Sequence, residues 1–196
     1  MLTFLAILLY IVILAFFVGP RYRYPRIVRK VVTEEECEYI KKSSLPNLEQ
    51  STLGDECDVD QKQRQSESAF LELSDPKIRD IVLRFVKEED LDKCESLQVV
   101  RYKPGGFYNP HQDADYKHTN KRKYTVIICL NDDYEGGYTD FPVLDRSYKL
   151  VKCDALMFDA LDTWDRITPK ALHGGTPVIS GEKWICNLWV RQSRID

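Results

Sequence analysis

After residue 96 the chain stops repeating at helical spacing and breaks into short apolar runs, at 97–102, 124–130, 138–141, 155–158 and 184–190. Turn signals such as Asn131-Asp132 and Gly136-Gly137 separate them. Strands this short have one apolar face to bury and edges to satisfy, so they pack as a sandwich or close as a barrel. Of the 196 residues, about 170 remain once an apolar N-terminus is set aside, which suits one domain with a proper core.

Ahead of the strands the pattern is helical. Thr33-Glu34-Glu35-Glu36 fits a capping box, with Glu36 three residues after Thr33, and predicts a helix to about residue 42. Ser74-Asp75-Pro76 predicts a second, whose buried face is Ile78, Ile81, Val82, Phe85 and Val86. Between them, 45–67 is polar and irregular, with an acidic cluster at Asp55, Glu56, Asp58 and Asp60. Two readings stand for it: a solvated loop, and a lid over a substrate.

Residues 2–18 are almost continuously apolar. As a helix they span about 26 Å, a little under the roughly 30 Å of a hydrocarbon core. Gly19-Pro20 ends the run, and Arg21, Arg23, Arg26, Arg29 and Lys30 follow. A cleaved signal would carry a basic start and a small-residue cleavage site; here the start has no basic side chain and Pro20 sits where cleavage would be awkward, while a buried core helix would have more polar positions. The expected organisation is therefore a single-pass N-terminal anchor at 1–19, a basic juxtamembrane linker at 20–30 and a catalytic domain at 31–196. The positive-inside rule puts that domain on the cytosolic side.

The stretch from Tyr102 to Asp113, YKPGGFYNPHQD, ends in His-x-Asp. Alternate residues of a strand point the same way, so His111 and Asp113 face a common centre. Alone this is a common polar pair. The chain has only three histidines, His111, His118 and His173, and His173 would complete a two-histidine, one-carboxylate set. That set suits Fe(II), with open positions left for substrate; zinc would accept the same three ligands. Lys183, ten residues after His173 at the entry to the last strand, favours iron. A buried ammonium demands an anion, and a bound dicarboxylate would supply one, with Tyr102 and Thr139 as hydroxyl donors to it.

The remaining features are structural. His118 reads as a surface residue. Trp184 and Trp189 sit five apart, on opposite faces of a strand, so at most one lines a site. Gly105-Gly106, Gly136-Gly137 and Gly174-Gly175 read as turn residues and not as phosphate cradles. The six scattered cysteines include no CxxC and leave the redox compartment open. A formal net charge of −3 without a basic stripe argues against nucleic acid as a partner.

Five segments together carry a resemblance: RQSESAF at 64–70, VVRYKPGGFYNPHQD at 99–113, YTVIICLNDDYEGGYTDFP at 124–142, DALMF at 154–158 and HGGTPVISGEKWICNLWVR at 173–191. In order and spacing the chain resembles the prolyl 4-hydroxylase branch of the 2-oxoglutarate- and Fe(II)-dependent dioxygenases, in its compact algal, bacterial and viral form. The resemblance implies a mainly β domain with N-terminal helices, built on a double-stranded β-helix (jelly roll). It implies iron on His111, Asp113 and His173, and the C5 carboxylate of 2-oxoglutarate on Lys183, helped by Tyr102 and Thr139. Tyr108, Arg122 and Trp189 would line a peptide groove. A lysine at 183 is like prolyl hydroxylases; many relatives use arginine. Tyr138 departs from the pattern, which commonly has an acidic residue there.

The implied activity is hydroxylation of peptidyl proline with O2, releasing succinate and CO2, with ascorbate as reductant. The implied partner is a proline-containing peptide in polyproline II form, and the implied location is the endoplasmic reticulum lumen, against the positive-inside expectation. Two rival readings are a same-fold oxygenase acting on lysyl or small-molecule substrates and a catalytically silent anchored jelly-roll protein. The second would have no need to keep His111, Asp113, His173 and Lys183 together.

Overall fold

The computed structural model describes residues 19–53 and 60–195, together with Phe4 and Tyr10. Thr33 starts helix α1 (Glu34–Ser44) with both arms of the capping box: its hydroxyl accepts from the Glu36 amide at 3.2 Å, and the Glu36 carboxylate accepts from the Thr33 amide at 2.8 Å. Asp75 caps α2 (Pro76–Val82) by accepting from the Lys77 and Ile78 amides. Ile78, Ile81 and Val82 are fully buried. Phe85 and Val86 lie beyond the end of α2, so the apolar stripe outlasts the helix.

Thirteen strands run among the described residues: β1 (Arg26–Val28), β2 (Glu49–Gln50), β3 (Glu67–Leu71), β4 (Leu97–Tyr102), β5 (Tyr108–His111), β6 (Arg122–Cys129), β7 (Glu135–Gly136), β8 (Thr139–Phe141), β9 (Arg146–Tyr148), β10 (Ala155–Asp159), β11 (His173–Gly175), β12 (Val178–Ser180) and β13 (Lys183–Arg191). All pairings are antiparallel. A seven-stranded sheet has the order β1-β10-β6-β13-β4-β3-β2, a four-stranded sheet has the order β5-β11-β8-β9, and β12 pairs with β7. The architecture is mainly β, with helices packed on one face of the large sheet.

The two faces of the large sheet do different work. Alternation along β13 sends Trp184, Cys186, Leu188 and Val190 into a core shared with Cys37 and Ile40 of α1 and Ile78 and Ile81 of α2. Burial of each large aliphatic side chain there stabilises by about 1.5–3 kcal/mol. The opposite face presents Val100, Ile127 and Ile185, which cluster with Phe141 of the small sheet and Phe158. Lys183, Asn187, Trp189 and Arg191 fall on that same face and line a cavity between the sheets. The two tryptophans therefore part as their spacing predicts.

Three expectations need restating. Part of the segment read as a linker is sheet: β1 pairs with β10, and the Arg23 guanidinium and the Arg29 side chain reach Asp159 and Asp154. Not all of 45–67 is loop, because β2 pairs with β3. Its residues 54–59, which include the acidic positions 55, 56 and 58, lie outside the described residues. So does the apolar run 2–18, apart from Phe4 and Tyr10; among the described residues no helix is long and apolar enough to cross a membrane. Cys37, Cys94, Cys129, Cys153 and Cys186 are buried free thiols.

Candidate active site

His111 ends β5 and His173 begins β11, and the two are register partners across that ladder. The pairing brings their rings to 4.4 Å between centroids. Asp113, two residues past His111, turns its carboxylate between them: Oδ1 lies 3.6 Å from His111 Nε2 and Oδ2 lies 3.7 Å from His173 Nε2. All three ligand atoms lie within 4.8 Å of one another.

The tautomers follow from the backbone. His111 Nδ1 is 2.9 Å from the Asn109 carbonyl oxygen, and His173 Nδ1 is 3.0 Å from that of Ala171. A carbonyl only accepts, so Nδ1 carries the proton and the Nε2 lone pair points at Asp113. Two neutral Nε2 donors and a carboxylate, converging and with their outer nitrogens already tethered, fit a divalent transition metal. Burial pushes the His173 imidazole down to about 4, against the pull of Asp113, so it stays neutral well below pH 7. Burial alone would raise the Asp113 carboxyl, but His173, His111 and Arg122 together hold it well below the usual carboxylate range. The Thr125 hydroxyl donates to Asp113 Oδ2 at 2.5 Å and fixes the carboxylate plane.

Aromatic rings wall the site. Tyr108 stacks on His111 at 3.6 Å, while Phe158 and Phe141 pack on His173 at 4.5 and 5.5 Å. The Arg64 guanidinium lies over the other part of this wall, 4.7 Å from the Tyr108 ring centre.

Lys183 occupies the far end of the same cavity. It is 4% exposed, and among the described residues no carboxylate pairs with it. Burial lowers its ammonium to about 8; Cys129 opposes that shift and Lys149 adds to it. Tyr102 is its register partner on β4, and Thr139, also buried, opens β8 beside it. Ile127 and Ile185 supply an apolar wall between the two ends. The cavity measures about 310 Å³, room for a small dicarboxylate.

All nine residues singled out in the sequence line this cavity: Tyr102, Tyr108, His111, Asp113, Arg122, Thr139, His173, Lys183 and Trp189. Arg122 does so braced. Its guanidinium makes a fork of 2.7 and 2.6 Å hydrogen bonds to Glu95 and lies 3.7 Å over the Trp189 ring. Glu95 also takes Arg191 at 2.8 Å. Glu95, Thr125 and Arg64 were not anticipated individually. Arg64 and Thr125 stand in segments that carried the resemblance, without a role of their own there; Glu95 gives no signal before the fold is known. His118, paired with Asp115 at 2.9 Å, is a rim residue.

Residues 97–191 match the model of the 2OG-Fe(II) oxygenase superfamily. A putative prolyl 4-hydroxylase of Acanthamoeba polyphaga mimivirus is 31% identical over 186 residues, covering 88% of this chain and 76% of the relative. The chain belongs to the prolyl 4-hydroxylase family. Prolyl 4-hydroxylase 1 of Arabidopsis thaliana is 35% identical over 200 residues, covering 86% of this chain and 69% of that protein. Among solved structures, the viral collagen prolyl hydroxylase of Paramecium Bursaria Chlorella virus-1, in its 2OG complex, superimposes with a TM-score of 0.72 at 27% identity, covering 87% of this chain and 97% of the other. The cofactors of this family of oxygenases, Fe(II) and 2-oxoglutarate, match the two ends of the cavity in charge and chemistry.

Proposed function

We propose that this chain is a 2-oxoglutarate- and Fe(II)-dependent dioxygenase that hydroxylates peptidyl proline. The observation that carries the reading is one cavity with three converging metal donors at one end and, at the other, a buried ammonium that no carboxylate among the described residues pairs with. The paired sheets around it are read as a double-stranded β-helix.

His111, Asp113 and His173 would hold Fe(II) on one face. Lys183 would take the C5 carboxylate of 2-oxoglutarate, with the Tyr102 and Thr139 hydroxyls donating to it. When bound, iron and co-substrate supply the oxidising chemistry: 2-oxoglutarate is decarboxylated to succinate and CO2, with one oxygen atom of O2 entering succinate and the other the prolyl ring. The protein orients and protects. Lys183 would fix one end of a short dicarboxylate and a metal held by His111, Asp113 and His173 the other, so its direction would be set before peptide arrives. Thr125 holds the Asp113 carboxylate, and the Asn109 and Ala171 carbonyls hold the imidazole planes. Phe141, Phe158, Ile127 and Ile185 exclude water from the centre. Tyr108, Arg122 and Trp189 line the path by which an extended peptide reaches it.

Incubation of the full chain with Fe(II), 2-oxoglutarate, ascorbate as reductant and proline-rich peptides tests the proposal. Succinate should form in step with a peptide mass gain of one oxygen atom. Absence of peptide-stimulated succinate, or an Asp113→Ala chain as active as the wild type, overturns it.

The apolar run 2–18 and the arginines after it support a single-pass anchor at 1–19. The oxygenase domain is then counted from β1 and not from residue 31, because β1 is part of the sheet. Alkaline extraction of membranes tests the anchor. Protease protection in sealed vesicles assigns the side, lumenal by likeness to secretory-pathway prolyl hydroxylases and cytosolic by the positive-inside rule.

A further inference from the structure

The surface around the cavity mouth has the opposite charge to the chain as a whole. A second depression lies beside the catalytic cavity, walled by Pro20, Arg21, Tyr116, Lys121, Arg166 and Lys170. Lys121 lines both hollows. Between them the Gln112 amide, on the cavity side, donates to the Thr168 carbonyl, on the groove side, at 3.1 Å. The two hollows therefore adjoin at Lys121, and an extended chain crossing Gln112 would pass from one to the other.

Along that path, with Lys183 and Asp113 set aside for co-substrate and metal, stand seven arginines and lysines: Arg21, Arg64, Lys121, Arg122, Arg166, Lys170 and Arg191. Four carboxylates face them: Glu95, Asp115, Asp162 and Asp165. Three are already engaged. Glu95 serves two guanidiniums, Asp115 takes His118, and Asp162 takes Arg166. Lys121 and Lys170 make no ion pair with a carboxylate among the described residues. The formal net charge of the chain is −3, yet this path is positive.

We propose that the preferred substrate carries acidic residues beside the target proline, and that Lys121 and Lys170 recognise them in the groove that continues from the catalytic cavity. This rests on the reading of the site as a peptidyl-proline hydroxylase and names the class of peptide it takes. An extended, proline-rich segment is stiff enough to carry a flanking carboxylate from the metal centre into the groove without folding back. Exposed ion pairs are individually weak and screened by salt, so the selectivity sits in substrate capture and not in the chemical step.

The test uses the full chain and three peptides with the same proline-rich core, flanked on both sides by Glu, Ala or Lys. At low salt kcat/KM should fall in the order Glu, Ala, Lys, by about five- to tenfold per step. The difference should sit in KM and shrink as salt rises. The double variant Lys121→Glu, Lys170→Glu should reverse the order, gaining on the Lys-flanked peptide, a gain that misfolding does not produce. Equal kcat/KM for all three on the wild type, or an unchanged order in the variant, overturns the proposal while leaving proline hydroxylation intact. Failure to hydroxylate any of the three overturns the underlying reading instead.

Discussion

Lys183 and Tyr102 face each other across the β13–β4 ladder, with the ammonium 5.5 Å from the centre of the phenol ring. Both side chains leave the sheet on its cavity face, at the end remote from the metal donors. A strand pair, and not a loop, therefore sets where the proposed carboxylate of 2-oxoglutarate would sit. Lys183→Met keeps the stem and removes the charge. It should raise the Kd for 2-oxoglutarate at least about 30-fold, in the range for a buried charge deprived of its partner, and leave Co(II) affinity unchanged. Calorimetry on the full chain reads both.

The same lysine gives a pH signature. Burial holds its ammonium at about 8 in the free protein, so the cation is present below that pH and lost above it. Affinity for 2-oxoglutarate should be flat from pH 6.5 to 7.5 and fall by up to about tenfold per unit above pH 8. Kd values at pH 7, 8 and 9 check it. A flat profile through pH 9 would remove Lys183 as the carboxylate partner.

Thr125 and Asp113 are joined by one short hydrogen bond, and among the described residues no other hydrogen bond to Oδ2 is as short. Thr125→Val is close to isosteric and deletes the donor. Metal affinity should fall about 10- to 100-fold, as for other residues that orient a metal ligand, with Thr125→Ser recovering most of it. Competition between Co(II) binding and a chelator of known affinity measures the change. Retention of wild-type affinity would mean that the carboxylate is positioned by the two histidines alone.

The sequence was readable where a local pattern has few structural meanings. His-x-Asp named two donors that do converge, although β5 stops at His111 and Asp113 reaches the centre from the bend that follows, not by strand alternation. The capping box at Thr33 and the β13 alternation were legible for the same reason: each is a local rule with a fixed period. β1, β5 and β11 were not. β5 contains Pro110, β11 is His-Gly-Gly, and β1 hides in a run of arginines. These are strands because a neighbouring ladder recruits them, and no propensity announces that. Thr125 and Glu95 were silent because their roles depend on partners 12 and 27 residues away.

Glu95 holds Arg122 and Arg191 with one carboxylate, and Arg122 in turn covers Trp189. Glu95→Gln keeps the shape but removes the charge that balances two guanidiniums. Arg122 should leave the Trp189 face, and the KM for a proline-rich peptide should rise about tenfold with the Kd for 2-oxoglutarate unchanged. A parallel loss of 2-oxoglutarate affinity would instead place this cluster in support of the co-substrate. Steady-state kinetics with each substrate varied in turn separate the two outcomes.

Gly174 lets β5 and β11 approach closely enough for their histidines to converge on the proposed metal centre. A Cβ at this position would lie 2.8 Å from the Tyr108 carbonyl oxygen and 3.0 Å from the Pro110 nitrogen, both backbone atoms that cannot swing aside. At the next residue, Gly175, the nearest atom would be 3.7 Å away, an ordinary contact. Gly174→Ala should therefore force the two strands apart. It should cost about 2 kcal/mol or more, lowering Tm by roughly 5 °C, and weaken Co(II) binding because the Nε2 atoms separate. Gly175→Ala should leave Tm within about 2 °C of the wild type. Differential scanning calorimetry of both variants, with and without Co(II), distinguishes a strand-spacing role for Gly174 from a general intolerance of side chains in β11: the first predicts a large contrast between neighbours, the second equal losses.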